Sequence, residues 1–164
     1  HGSAASADAR EETASWKGAR SSGLPVYQHG PTRAASEMVQ TVLIVDDEIS
    51  MRRALRGFLD RAGFAVTEAA SADEALRYIR EAMPADAVVS DILMPGLSGV
   101  DLYDQLQQAA PHLTDRVVFL TGAAGDPRVH AQIEQRGVPL ISKLDDLRLV
   151  VDAVRLALLK RSSW

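Results

Sequence analysis

The sequence predicts an α/β fold: a doubly wound, five-stranded parallel sheet of order 2-1-3-4-5 with five helices. Three observations lead there. From Thr41 onward, five short apolar runs alternate with five helical patterns, and that alternation is what crossover-connected parallel strands require. The strands at 41–47, 85–91 and 116–122 are each built on a near-continuous apolar run, 42–45, 87–89 and 117–120, as strands covered on both faces must be. The runs at 64–70 and 138–142 carry Thr67 with Glu68 and Pro139 respectively, residues that belong at sheet edges. With strands two and five at the rims, right-handed crossovers give this order, and the winding reverses between strands one and three.

Taken in order, "TVLIVDD" (41–47) is the first strand, and a helix follows with Met51, Leu55, Phe58, Leu59 and Ala62 on one face. "FAVTEAA" (64–70) is the second strand; Ser71 and Glu74 then form a capping box for the second helix. "ADAVVSD" (85–91) is the third strand, and Ser98, with Asp101 three residues on, opens the third helix. "RVVFLTG" (116–122) is the fourth, before a weakly apolar helix that starts at Asp126 with Pro127 in its first turn. "VPLIS" (138–142) is the fifth. The last helix runs from about Asp145 to Lys160, with Leu147, Val150, Val151, Val154 and Leu158 as its core stripe. Leu149, Leu156 and Leu159 lie outside that stripe, as edge-of-core packing or a partner surface.

Residues 1–40 differ in kind. Eight Ala, six Ser, four Gly and two Pro fill half of the segment without periodicity, and "HGS" at the start resembles a cloning remnant. Such a composition buries too little apolar area to offset its ordering entropy. We read it as a linker or cloning-derived arm before a domain at 41–164; the competing reading is an ordered arm built on Trp16, Leu24, Val26 and Tyr27. These forty residues carry no net charge, so the whole formal charge of −4 falls on residues 41–164 and argues against direct nucleic-acid binding there. With no cysteine, there is no disulfide, thiolate metal site or cysteine nucleophile. No apolar run approaches ~20 residues, so no membrane contact is expected, and a cytoplasmic location fits.

The strand ends carry the chemistry. In a doubly wound sheet, ligands bind beyond the C-terminal ends of the strands where the winding reverses. There the sequence puts Asp46 and Asp47 with Glu48 next, Asp91, Thr121 followed by Gly122, and Lys143. At least three carboxylates converge, and they ionise together only at a cost unless a counter-charge is present. Oxygen ligands without His or Cys suit magnesium rather than zinc. Residues 41–164 hold twelve Arg but only two Lys, Lys143 and Lys160. A lysine at this strand end suits a point contact to a carboxylate or phosphate. A carboxylate nucleophile, a metal, an ammonium and a hydroxyl around one phosphoryl group make a coherent set for phosphoryl transfer.

Four motifs carry a family resemblance: "VLIVDDE", "VVSDILMPGLSG", "FLTG" and "LISK". Through them, residues 41–160 resemble the receiver domain of two-component response regulators, a flavodoxin-like fold. The resemblance implies that Asp91 accepts a phosphoryl group from the phosphohistidine of a histidine kinase or histidine phosphotransfer domain, in a Mg2+-dependent reaction that switches partner binding. It implies Asp47, Asp91 and the backbone carbonyl of Leu93 as direct magnesium ligands, with Asp46 holding a metal-bound water. Thr121 and Lys143 would grip the phosphoryl oxygens. Catalysis would then be limited to the domain's own phosphorylation and dephosphorylation. The chain ends about twenty residues after Lys143, and the expectation is a single-domain regulator or the C-terminal receiver of a hybrid histidine kinase.

The sequence departs from the family pattern twice. Leu144 follows Lys143 where proline, often cis, is usual, and Leu140 stands where Tyr or Phe is common; the hydroxyl-to-aromatic relay is thereby put in doubt. A rival from another class is an aspartate-nucleophile phosphohydrolase of the haloacid-dehalogenase type. That chemistry wants a second acid two residues after the nucleophile, where this chain has Leu93. A receiver-like scaffold that is never phosphorylated is the third alternative. His112 and His130 read as surface residues, and Arg52, Arg53 and Arg56 as a solvated helix face rather than an anion patch.

Overall fold

The computed structural model describes residues 38–122 and 126–160. The expectations for Trp16, Leu24, Val26, Tyr27 and the rest of residues 1–37 lie outside the described residues. Five strands form one parallel sheet: β1 (Thr41–Val45), β2 (Ala65–Ala69), β3 (Ala87–Asp91), β4 (Val117–Thr121) and β5 (Leu140–Ser142). Their order is β2-β1-β3-β4-β5, as the edge assignments require. β3 and β4 are buried at every residue, whereas β2 and β5 are largely half-buried. Pro139 precedes β5, where its missing N–H costs nothing and its carbonyl still accepts from the Phe119 N–H at 2.8 Å.

The period of two along each strand divides the interior into two cores. Leu43, Val45, Val88 and Phe119 point to one face, against α2 (Ala72–Arg80), α3 (Gly99–Ala109) and Ile133 of α5 (Pro127–Arg136). Val42, Ile44, Val89, Val118 and Leu120 point to the other. There they meet Leu55 and Leu59 of α1 (Ile49–Arg61) and Val150, Val151 and Val154 of α6 (Arg148–Leu159). Each fully buried leucine of this kind contributes about 1.5–3 kcal/mol by leaving water.

Helix ends follow their caps. At α3 the box closes: the Asp101 N–H donates to Ser98 Oγ at 3.0 Å and the Ser98 N–H to Asp101 Oδ2 at 2.9 Å. At α2 only half of the expected box forms. The Glu74 N–H donates to Ser71 Oγ at 3.1 Å, but the Glu74 carboxylate reaches one residue further back and accepts from the Ala70 N–H at 2.7 Å. Asp126 caps α5 through the Arg128 N–H at 2.9 Å, and Gly137 ends it at φ 63°, a left-handed conformation that suits glycine.

Three further features differ from the sequence reading. There are six helices, not five, among the described residues: α4 (Pro111–Thr114) is a single turn that drops Leu113 into the core. The last helix begins at Arg148, because Ser142 and Asp145 instead close a turn, with the Asp145 N–H donating to the Ser142 carbonyl at 3.0 Å. Arg52 and Arg56 are not a solvated face, since Arg56 pairs with Glu68 at 2.9 Å and Arg52 approaches the same carboxylate at 3.8 Å. Leu149, Leu156 and Leu159 are exposed and belong to neither core. His112 and His130 are exposed, as expected.

Candidate functional site

The C-terminal ends of β1, β3, β4 and β5 bring the predicted residues together. β1 runs directly into Asp46 and Asp47, β3 ends in Asp91 and β4 in Thr121, while Lys143 follows β5. The Lys143 N–H donates to the Thr121 carbonyl at 2.9 Å, which extends the β4–β5 ladder one rung past the strand and fixes where the lysine departs. Its side chain then reaches back over the sheet. Nζ lies 2.8 Å from Asp46 Oδ2 and 2.9 Å from Asp91 Oδ2. The lysine side chain is only 14% exposed, and Asp46 and Asp91 are buried. This answers why a carboxylate can end an apolar strand: an ammonium from a strand two places away stands over it.

Three of the four polar groups of Asp46 are hydrogen-bonded. Its N–H donates to the Ala69 carbonyl at 3.2 Å, and Oδ1 accepts from the Glu48 N–H at 2.9 Å. Its carbonyl accepts from Arg52 Nη1 at 2.7 Å. Oδ2 is less well served. It faces the ammonium at ion-pair distance but out of line for a directed hydrogen bond, and it has no hydrogen-bond partner among the described residues. Asp91 Oδ1 accepts a long bond from the Leu93 N–H, 3.3 Å, and Ser90 Oγ donates to the Asp91 carbonyl at 2.9 Å. Thr121 is buried and Asp47 exposed.

The electrostatics are unbalanced towards negative charge. Burial pushes the Asp91 carboxyl above its ordinary pKa, and the nearby Asp46 charge adds to that rise, while Lys143 and the Leu93 N–H pull it down. Burial works against the Lys143 ammonium, yet its contacts with Asp46 and Asp91 more than offset this, and its pKa is raised. One ammonium therefore serves two buried carboxylates with a third beside them. Oxygen atoms of Asp46, Asp47 and Asp91 lie within 4.8 Å of one another, a group that could hold a metal ion. All-oxygen donors, a buried oxygen short of partners and an exposed open side fit a hard divalent cation.

Likeness to a known family decides what this geometry belongs to. The response regulator receiver domain matches residues 42–155, from the first residues of β1 well into α6. The chain belongs to that family. As a receiver it is 36% identical over 125 residues to the transcriptional regulatory protein ResD of Bacillus subtilis, covering 74% of this chain and 49% of that protein. It is 32% identical over 129 residues to nodulation protein W of Bradyrhizobium diazoefficiens, covering 77% of this chain and 54% of that one. The receiver thus spans about half the length of these curated relatives. Among solved structures, a response regulator from Chloroflexus aurantiacus is 31% identical with a TM-score of 0.66, covering 74% of this chain and 99% of the other.

The structure brings Asp46, Asp47, Asp91 and Lys143 into one cluster and buries Thr121 at the end of β4; sequence reasoning missed Arg52 as a neighbour of the cluster. Its partner Glu68 sits on β2 beside Ile44, and only the sheet brings the two together. No helix among the described residues is long and apolar enough to cross a membrane.

Proposed function

We propose that Asp91 is the phosphoacceptor of a phosphorylation-dependent switch, charged by the phosphohistidine of a histidine kinase or histidine phosphotransfer domain. In this reading, residues 41–164 form the receiver and residues 1–40 a linker. The observation that carries it is the Lys143 ammonium within 2.9 Å of both Asp46 and Asp91, in a buried cluster of a receiver domain. The Asp91 carboxylate attacks phosphorus; the O–P bond forms as the P–N bond breaks, and the bonding pair returns to the imidazole nitrogen. Lys143 supplies a positive charge already desolvated and aimed at Asp91, so little reorganisation is needed when phosphoryl oxygens arrive. Thr121 supplies a hydroxyl donor at the adjacent strand end. Asp47, Asp91 and the Leu93 carbonyl would hold magnesium, with Asp46 on a bound water, and the ion would supply further positive charge to the phosphoryl group. The all-oxygen set favours a hard cation such as magnesium over zinc.

Phosphorylation adds roughly −1.5 to −2 charges where two carboxylates already share one ammonium. That change biases the partner surface, and a cytoplasmic location follows from the kinase partner. At the position where an aspartate-nucleophile hydrolase would hold its second acid, this chain has Leu93, 57% exposed. Incubation with acetyl phosphate and magnesium, read by intact mass, tests the assignment. One phosphate should add to the wild type and none to Asp91→Asn. Equal addition to that variant overturns the site, and no addition to either favours the unphosphorylated scaffold.

A further inference from the structure

We infer that Arg52 is a positioning residue for the acidic cluster, holding the turn that presents Asp46 and Asp47 to a divalent cation. The inference rests on the receiver reading above and deepens it. Asp46 lies one residue past the end of β1, where the ladder stops, and α1 begins only at Ile49. Its carbonyl therefore falls between two hydrogen-bonding systems, and a buried carbonyl left without a partner is costly. Arg52 fills that gap from the first turn of α1, with Nη1 at 2.7 Å from the Asp46 carbonyl oxygen.

The guanidinium is itself held. Arg52 Nε lies 3.8 Å from Glu68 Oε1, and Glu68 is gripped through Oε2 by Arg56, whose Nε and Nη2 stand at 3.0 and 2.9 Å. The Arg52 side chain is 15% exposed, so it is packed rather than waving in solvent. A rigid planar fork that reaches a carbonyl with one nitrogen and a carboxylate with another is a task lysine cannot duplicate. The result is a brace from β2 through α1 to the backbone between Val45 and Asp47. Asp47 is exposed and has no other brace of this kind among the described residues, so the orientation of its carboxylate depends on the peptide that Arg52 fixes. Groups one layer behind metal ligands typically change cation affinity by about 10–100-fold when removed.

The test is a magnesium chloride titration of the full chain at constant ionic strength, followed by amide shifts of Asp47 and Glu48. Arg52→Ala should weaken magnesium binding about tenfold, with Arg52→Lys intermediate. Arg53→Ala removes the same charge from an exposed position on the same helix and should leave the affinity within about twofold of wild type. With acetyl phosphate, Arg52→Ala should be slow at low magnesium and approach the wild-type rate at saturation, a split that general unfolding would not produce. Affinity within about twofold of wild type in a folded Arg52→Ala overturns the inference, as does equal weakening in Arg53→Ala. Should Arg52→Ala fail to fold, Arg52→Lys carries the test alone, and unchanged affinity there overturns it. If the wild type binds no magnesium, the receiver assignment of these ligands falls first; if it binds and the Arg52 variants match it, this inference alone falls.

Discussion

Replacing Lys143 with methionine tests the charge balance of the site directly. The change keeps an unbranched side chain of similar length but removes the ammonium from between Asp46 and Asp91. At 2.8 and 2.9 Å, each contact is worth about 6 kcal/mol of coulombic attraction at an effective dielectric near 20. Most of that is cancelled by the cost of taking three charges out of water. What survives is the penalty of stranding charge, about 3–5 kcal/mol when one member of a buried pair is removed. The 14% exposure of the lysine side chain admits some water, so the lower end, about 3 kcal/mol, is expected. For a domain of this size that is a fall of about 10 °C in Tm at neutral pH without divalent cations. Acid should close the gap. A carboxyl whose folded pKa lies above its unfolded value favours folding when protonated; that contribution is complete below the ordinary carboxylate pKa and is lost as pH rises through the folded value. Asp91 is such a group, raised chiefly by burial, and the Lys143 hydrogen bond is what restrains the rise. Without the lysine its pKa climbs further, so the variant's deficit should be largest near neutrality and shrink as pH falls towards about 4. Magnesium should also restore stability, by about 2.7 kcal/mol at a hundredfold excess over Kd. Thermal melts across pH, with chelator and with magnesium, measure all three effects. A deficit under about 2 °C at neutral pH, or one indifferent to both acid and magnesium, refutes the reasoning.

Asp47→Asn should abolish most of the magnesium-induced rise in melting temperature, because this exposed carboxylate completes the three-acid group; a full rise in the variant would remove Asp47 from the ligand set. Gly99→Ala should destabilise by about 2 kcal/mol or more and slow phosphorylation, since a Cβ there collides with the Asp91 carbonyl and meets the Ile92 Cα at 3.0 Å. Melts and acetyl phosphate kinetics would expose an unaffected variant. Leu140 is half-buried and packed against the core, and it offers no ring to reorient. Beryllofluoride with magnesium should therefore shift amides at 121, 122 and 126–130 more than those at 138–160. Large shifts throughout 138–160 with dimerisation would show a different relay.

Much of this molecule was legible because its signals are local or strictly periodic. The burial of β3 and β4 follows from their continuous apolar runs at 87–89 and 117–120, and Pro139 marked β5 as a rim strand. The acids, Thr121 and Lys143 could be grouped because topology alone brings strand ends to one place. What could not be read depends on partners distant in sequence or on segments too short for a period. α4 has four residues, fewer than one and a half turns, so no stripe exists to detect. Glu74 chose the Ala70 N–H over its textual partner because side-chain reach, not spacing, decides the last bond. Arg52 and Arg56 look solvated on a helical wheel, and only the parallel register of β1 with β2 puts Glu68 within their reach. The peptide after Lys143 is trans, like every peptide among the described residues, which accords with leucine in place of proline at 144.

Lys143 also ties the rim of the sheet to its centre. β5 contributes only three residues to the ladder, too few for a strand to resist fraying by backbone bonds alone. Its anchorage is completed by a side chain that crosses β4 to grip β3 and β1. The free energy needed to peel β5 from β4 therefore includes the free energy of withdrawing that ammonium from two carboxylates. Amide hydrogen exchange at Ile141, Ser142 and Lys143 then becomes a gauge of the charge at Asp91, at the far end of the lysine side chain. Whatever draws the ammonium elsewhere loosens the rim, and whatever engages it more tightly locks the rim down.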